Sequence, residues 1–182
     1  MKKPTLIINF LAGPNSGKST FAHLLMGELK VFGINVEFAH EYAKELVFAQ
    51  RWETFKNQIY MFSKQHARIY DQVGKVEVII TDCPILLTPA YDKEKRKALT
   101  DLVLNEYRKV PNQYNVFVKR LKKKFVKEGR IHDENEAKKI DKAVKSFLDK
   151  NKIPYHEMEC SKANVQHIVR VVFEQLGLSN SF

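Results

Sequence analysis

Cysteine is scarce in this sequence. Cys83 and Cys160 are its two cysteines and form no CxxC pair, so neither a disulfide framework nor a zinc site is indicated, and a reducing compartment is expected. Long apolar runs are also missing. No stretch approaches the roughly 18 residues that would span a membrane. The MKK start followed by TLIINFLAG is interrupted by Asn9, and a glycine-rich loop stands where a leader would be cleaved. The expectation is a soluble cytoplasmic protein with no membrane partner. Internal repeats, low-complexity tracts and linkers are absent too, and 182 residues suit one domain, 1–182, with its own core.

Acidic residues are in deficit, 21 against 31 basic, for a formal charge of +10. The excess is local. The segment KRLKKKFVKEGR (119–130) carries +6 of it and leaves +4 for the rest of the chain, which suits a phosphate-handling segment better than a generally basic surface.

Short apolar runs alternate with amphipathic stretches. TLIINFL (5–11), INVEFA (34–39), KVEVIIT (75–81), YNVFV (114–118) and PYHEME (154–159) are expected strands. Helices are expected over 19–32, 41–49, 54–73 and about 93–109, around Ala137–Leu148, and at the C-terminal end. A loop holding Pro84 and Pro89 is expected after Asp82. Strands separated by helical crossovers imply an α/β fold: a five-stranded parallel sheet with helices on both faces.

Between the first strand and first helix stands AGPNSGKST (12–20), which fits [AG]-x-x-x-x-G-K-[ST] in the strand–loop–helix setting of a P-loop. The backbone amides of Gly13, Pro14 (which offers none), Asn15, Ser16, Gly17, Lys18, Ser19 and Thr20 would line an anion site at a helix N-terminus. Lys18 would reach the β- and γ-phosphates, and Ser19 would serve Mg²⁺. ATP and Mg²⁺ are therefore the expected cofactors.

Three uses of the nucleotide compete, and two lack their usual residues. A hydrolase would place Glu after the strand-end Asp82, where the sequence has Cys83. A GTPase would need NKxD, whereas NKIP (151–154) lacks the aspartate and DQVG (71–74) precedes its strand. A kinase needs a carboxylate near the acceptor hydroxyl and cations over the moving phosphate. Glu41, just past the second strand, could orient or deprotonate the acceptor, and Asp82 could hold the metal with Ser19. Which of the two carboxylates is the base stays open. The basic segment, about 119–135, could form a lid, with Arg120 or Arg130 neutralising charge and Arg130 preferred beside Gly129. His66 is read as a core or cleft-lining residue and not a ligand, and Trp52, which could cap a substrate base, as a packing residue.

AGPNSGKST, HEYAKEL (40–46), the helix containing Gln65, VIITDCPI (78–85), EGRIHDE (128–134) and FLDKNKIPYHEME (147–159) together resemble the ribosylnicotinamide-kinase-like P-loop family, which includes the kinase domain of the bacterial NAD-biosynthesis regulator. Lys44 stands where that family's EY-x-R-E has arginine. The resemblance implies a P-loop kinase fold of the P-loop NTPase class with strand order 2-3-1-4-5. It also implies an ATP-dependent kinase acting on a small nucleoside-like or nucleotide molecule, with Glu41 and Asp82 as site carboxylates and Arg130 as a lid arginine. Relatives with this P-loop are often labelled only as ATPases, so a regulatory ATPase is one alternative. A kinase acting on nucleic acid, such as a DNA end or a modified base, is the other.

Overall fold

Strand β1, Leu6–Leu11, is buried along its whole length, as is β3, Val78–Thr81. This is the pattern of strands covered on both faces. β2 (Val36–Ala39), β4 (Gln113–Lys119) and β5 (His156–Glu159) complete a parallel sheet in the order β2-β3-β1-β4-β5. The edge strand β5 buries only Met158. These coordinates come from a computed structural model, which describes residues 4–121 and 133–178.

One row of the sheet positions the site. Ala39, Thr81, Asn9 and Asn115 lie side by side in register across β2, β3, β1 and β4. The polar members of this row are buried and bonded to one another or to nearby backbone. Thr81 Oγ1 donates to the Ala39 carbonyl at 3.1 Å. Asn9 Nδ2 donates to Asn115 Oδ1 and to Gln113 Oε1, each at 2.9 Å. Asn115 Nδ2 continues to Tyr107 Oη at 2.7 Å and the Pro154 carbonyl at 2.9 Å. Asn9, which breaks the apolar run in the sequence, is therefore paired inside the core and imposes no desolvation penalty on its Nδ2. Just beyond this row the chain reaches Gly13, Glu41 and Asp82.

The crossovers are α1 (Lys18–Val31), α2 (Tyr42–Phe48), α3 (Trp52–Lys56), α4 (Gln58–Tyr70), α5 (Thr88–Tyr91), α6 (Lys97–Lys109), α7 (Glu134–Lys150) and α8 (Lys162–Leu176). α1 packs on α8, and α5 is held between α4, α6 and α7. None of the described helices is long and apolar enough to cross a membrane.

Two expectations about helices need correction. The single helix expected over 54–73 is two. Asn57 leaves the helical region (φ −79°, ψ 90°), and its side chain accepts the Tyr60 N–H at 3.1 Å, so it ends α3 and caps α4. A 4-3-4-3 apolar spacing is blind to such a break, because the break is made by a side-chain bond; Ile59, one member of that stripe, is half exposed. The loop expected after Asp82 instead forms a 3₁₀ turn, Ile85–Leu87, followed by α5 with Pro89 in its first turn, where proline's missing N–H costs nothing.

The turn into α6 is fixed by Asp92, which is 5% exposed and receives the Arg96 guanidinium at 2.6 Å and the Arg96 N–H at 2.8 Å. The hydrogen bond from Arg96 holds the Asp92 carboxyl below the ordinary carboxylate range. A pKa depressed by folding contributes stability above the unfolded value of about 3.9 and loses it as pH falls through the folded value. Asp92→Asn should therefore melt below the wild type at pH 7, and the gap should close as thermal melts are taken down below about pH 4. A gap that stayed constant across that range would refute the assignment.

Candidate active site

The P-loop leaves β1 at Ala12 and turns into α1 at Gly17, the N-cap, whose φ of +97° lies in the left-handed region that a side chain strains. Gly13 is required for a different reason. A Cβ placed there would stand 2.5 Å from the Ala137 carbonyl oxygen, 3.0 Å from Arg120 Nη2 and 3.1 Å from Asp141 Oδ1. Gly13→Ala must displace either the loop or α7. It is expected to cost about 1–3 kcal/mol in thermal or urea unfolding, together with nucleotide affinity. An unchanged melting temperature would show that the loop yields freely.

Behind the loop lies a grip that the sequence did not announce. Asp141, on α7, accepts the Gly13 N–H at 2.6 Å and the Arg120 Nε–H at 2.5 Å. Arg120 Nη1 in turn donates to the Pro14 carbonyl at 2.7 Å. The Arg120 guanidinium is thus occupied in holding the first peptides of the loop and is not among the residues lining the cleft in front. Charge neutralisation, the role considered for Arg120 or Arg130, does not suit that position of Arg120. Arg130, the expected lid arginine, lies outside the described residues, as do residues 122–132 generally.

In front of the loop opens a cleft of about 410 Å³. Pro14, Asn15, Ser16, Gly17, Lys18, Ser19 and Thr20 line one end of it, and Glu41 and Asp82 line it as well. Of the expected site residues that are described, Gly13 alone stands behind it. Glu41 is the N-cap of α2, two residues past Ala39, and Asp82 directly follows Thr81, so the register of the sheet brings the two carboxylates to one edge.

Lys18 Nζ donates to the Gly13 carbonyl at 2.9 Å. Burial lowers the pKa of its ammonium, while the Glu41 and Asp82 carboxylates act in the opposite direction. Ser19 Oγ donates to Asp82 Oδ2 at 2.5 Å, and Asp82 Oδ1 is buried without a hydrogen-bond partner. A hydroxyl beside a carboxylate with an unsatisfied oxygen is a hard oxygen donor set that fits Mg²⁺. Among the described residues there is no group of three or more His, Cys, Asp or Glu that could enclose a metal, so a cation here would need phosphate and water oxygens as well. Burial raises the Cys83 thiol well above its usual range, which leaves a neutral side chain beside Asp82 and no nucleophile.

The far end of the cleft is apolar, built by Val47 and Phe48 of α2, Phe55 of α3 and Met61 of α4, with Lys44 and Gln65 among the polar members. His66 pairs with Glu106 at 3.0 Å and stacks on Tyr70, in keeping with a packing role, whereas Trp52 lies outside the cleft lining and is 43% exposed. Asp141 was invisible in the sequence because, flanked by lysines beside the apolar stripe of Ile140 and Val144, it reads as part of the helix's solvated face. Only the crossing of α7 behind the loop gives it a partner.

A family model described as an AAA domain matches residues 8–167. No curated protein sequence matches significantly. Among solved structures, thymidylate kinase from Ehrlichia chaffeensis superposes with a TM-score of 0.60 at 15% identity, covering 92% of this chain and 98% of that one. That likeness carries the fold: a five-stranded parallel P-loop sheet with its helices.

Proposed function

The chain belongs to the AAA domain family, and we propose that its P-loop serves phosphoryl transfer: a Mg²⁺- and ATP-dependent kinase acting on a hydroxyl of a small nucleoside or nucleotide. The observation that carries this reading is the lining of the cleft. P-loop residues suited to a triphosphate share the cleft with an apolar wall from α2, α3 and α4, and Glu41 lines the same cleft. A simple hydrolase has no use for that wall, and Asp82 is followed by Cys83, not by a water-activating Glu. The fold shared with a thymidylate kinase agrees with a nucleotide-sized acceptor. The resemblance to ribosylnicotinamide kinases makes nicotinamide riboside the first acceptor to test.

In this reading, the loop amides and Lys18 hold the β- and γ-phosphates, Lys18 exchanging its contact with the Gly13 carbonyl for phosphate oxygens. Ser19 and Asp82 would hold the cation, which when bound would screen the phosphate charge. Glu41 takes the proton of the acceptor hydroxyl as that oxygen bonds to the γ-phosphorus. The bond from phosphorus to the β–γ bridging oxygen breaks, and its electron pair leaves with ADP.

The test is transfer from γ-labelled ATP with Mg²⁺ to a panel of nicotinamide riboside, common nucleosides, deoxynucleoside monophosphates and DNA. Label in one small molecule is the expected result. Label in DNA would move the acceptor to nucleic acid. Release of free phosphate alone would replace the kinase with a nucleotide-hydrolysing switch.

A further inference from the structure

Buried polar atoms without a protein partner call for a water, an ion or a ligand to complete them. Among the described residues, five side-chain atoms are in that position, and three of them, Ser16 Oγ, Asp82 Oδ1 and Gln65 Nε2, belong to residues lining the cleft. Phosphate and a cation account for the first two. Neither accounts for Gln65, which belongs to α4 on the acceptor side and is 5% exposed.

The orientation of its amide follows from its neighbour. The Tyr42 N–H can only donate, so it faces Gln65 Oε1, at 3.0 Å, and the two N–H groups of Nε2 must point elsewhere. Val47, Phe48, Phe55 and Met61 wall the same end of the cleft with apolar surface, and Phe48 is 70% exposed there. Apolar walls with a buried, oriented amide donor favour a flat group bearing a hydrogen-bond-accepting atom.

We infer that Gln65 determines acceptor specificity: the acceptor carries a flat ring with a hydrogen-bond-accepting atom that Gln65 Nε2 engages, while the ring packs on the apolar wall formed by α2, α3 and α4. Naming the bound molecule as the acceptor rests on the kinase reading; the binding itself does not. Since Gln65 Oε1 also holds the N–H of the residue after Glu41, one side chain joins recognition of the ring to the helix that presents the carboxylate.

The experiment pairs binding with transfer. In the ¹⁵N-labelled full chain, the Gln65 side-chain amide is identified by its loss in Gln65→Glu, a change that keeps an oxygen for the Tyr42 N–H and replaces the donor with an acceptor. A matched pair is then titrated: nicotinamide riboside against its analogue lacking the carboxamide, whose ring has no hydrogen-bond acceptor. The expected result is a shift of the Gln65 amide with the carboxamide-bearing member of the pair and not with its partner. For any acceptor that takes label, Gln65→Glu should lower kcat/KM by about 30-fold or more while ATP affinity stays within about twofold. An amide that shifts without transfer to any compound would support the inference while the kinase reading fails. Transfer that survives Gln65→Glu within about twofold would overturn the inference and spare the kinase. An amide that no ligand moves would overturn it as well.

Discussion

Lys18→Ala is expected to reduce γ-phosphate transfer by roughly 10³-fold while the protein still folds, because a preorganised cation at the transferring phosphate is among the largest single contributions such a site makes. Folding should survive because the ammonium makes one recorded hydrogen bond, to the Gly13 carbonyl at 2.9 Å, and burial works against its charge. Its removal relieves desolvation and leaves one loop carbonyl without that donor. Single-turnover transfer and a thermal melt, run on the same preparation, separate the two quantities. Activity within about tenfold of the wild type would mean that the loop amides alone carry the phosphate charge, and the proposed role of Lys18 would fall.

Glu41→Gln is expected to lower kcat by roughly 10²–10⁴-fold with ATP affinity unchanged, the range for losing a positioned general base. Gln keeps the shape and the hydrogen-bonding oxygen but cannot take the proton. Asp82→Asn provides the contrast. Asp82 already accepts from Ser19 and keeps its second oxygen buried on the metal side, so its loss should raise the Mg²⁺ concentration needed for half-maximal rate. Glu41→Gln should leave that concentration where it was. If both variants shift the Mg²⁺ requirement alike, the division of labour between the carboxylates is wrong. If Glu41→Gln transfers at the wild-type rate, the base lies elsewhere or no proton is being taken.

Much of this architecture was legible in the sequence, and the reasons are local. The strand–loop–helix signature of AGPNSGKST needs only neighbouring residues. β1 and β3 are apolar runs buried along their whole length, and the order 2-3-1-4-5 implied by family resemblance is the order observed. What escaped depends on contacts between distant segments. Asn57 splits a helix by a side-chain bond that periodicity does not register. Asp141 and Arg120 meet the P-loop from 128 and 106 residues away. Gln65 appeared only as part of a family resemblance, because its significance lies in which of its two amide atoms Tyr42 claims.

The buried row through Asn9 bears on how the chain reaches a single alignment. A parallel strand as apolar as Leu6–Leu11 could slide by a residue and still cover itself with hydrocarbon, since both its faces are core. With Asn9 in the middle, any slide would carry its amide away from Asn115 and Gln113 and strand several polar groups in hydrocarbon, at about 1–3 kcal/mol apiece. The penalty turns a sliding scale into a detent. Because Ala39 and Thr81 share that row, the same detent sets how far Gly13, Glu41 and Asp82 protrude from the edge of the sheet. An asparagine with no chemistry of its own thus works as the index mark from which the cleft is measured.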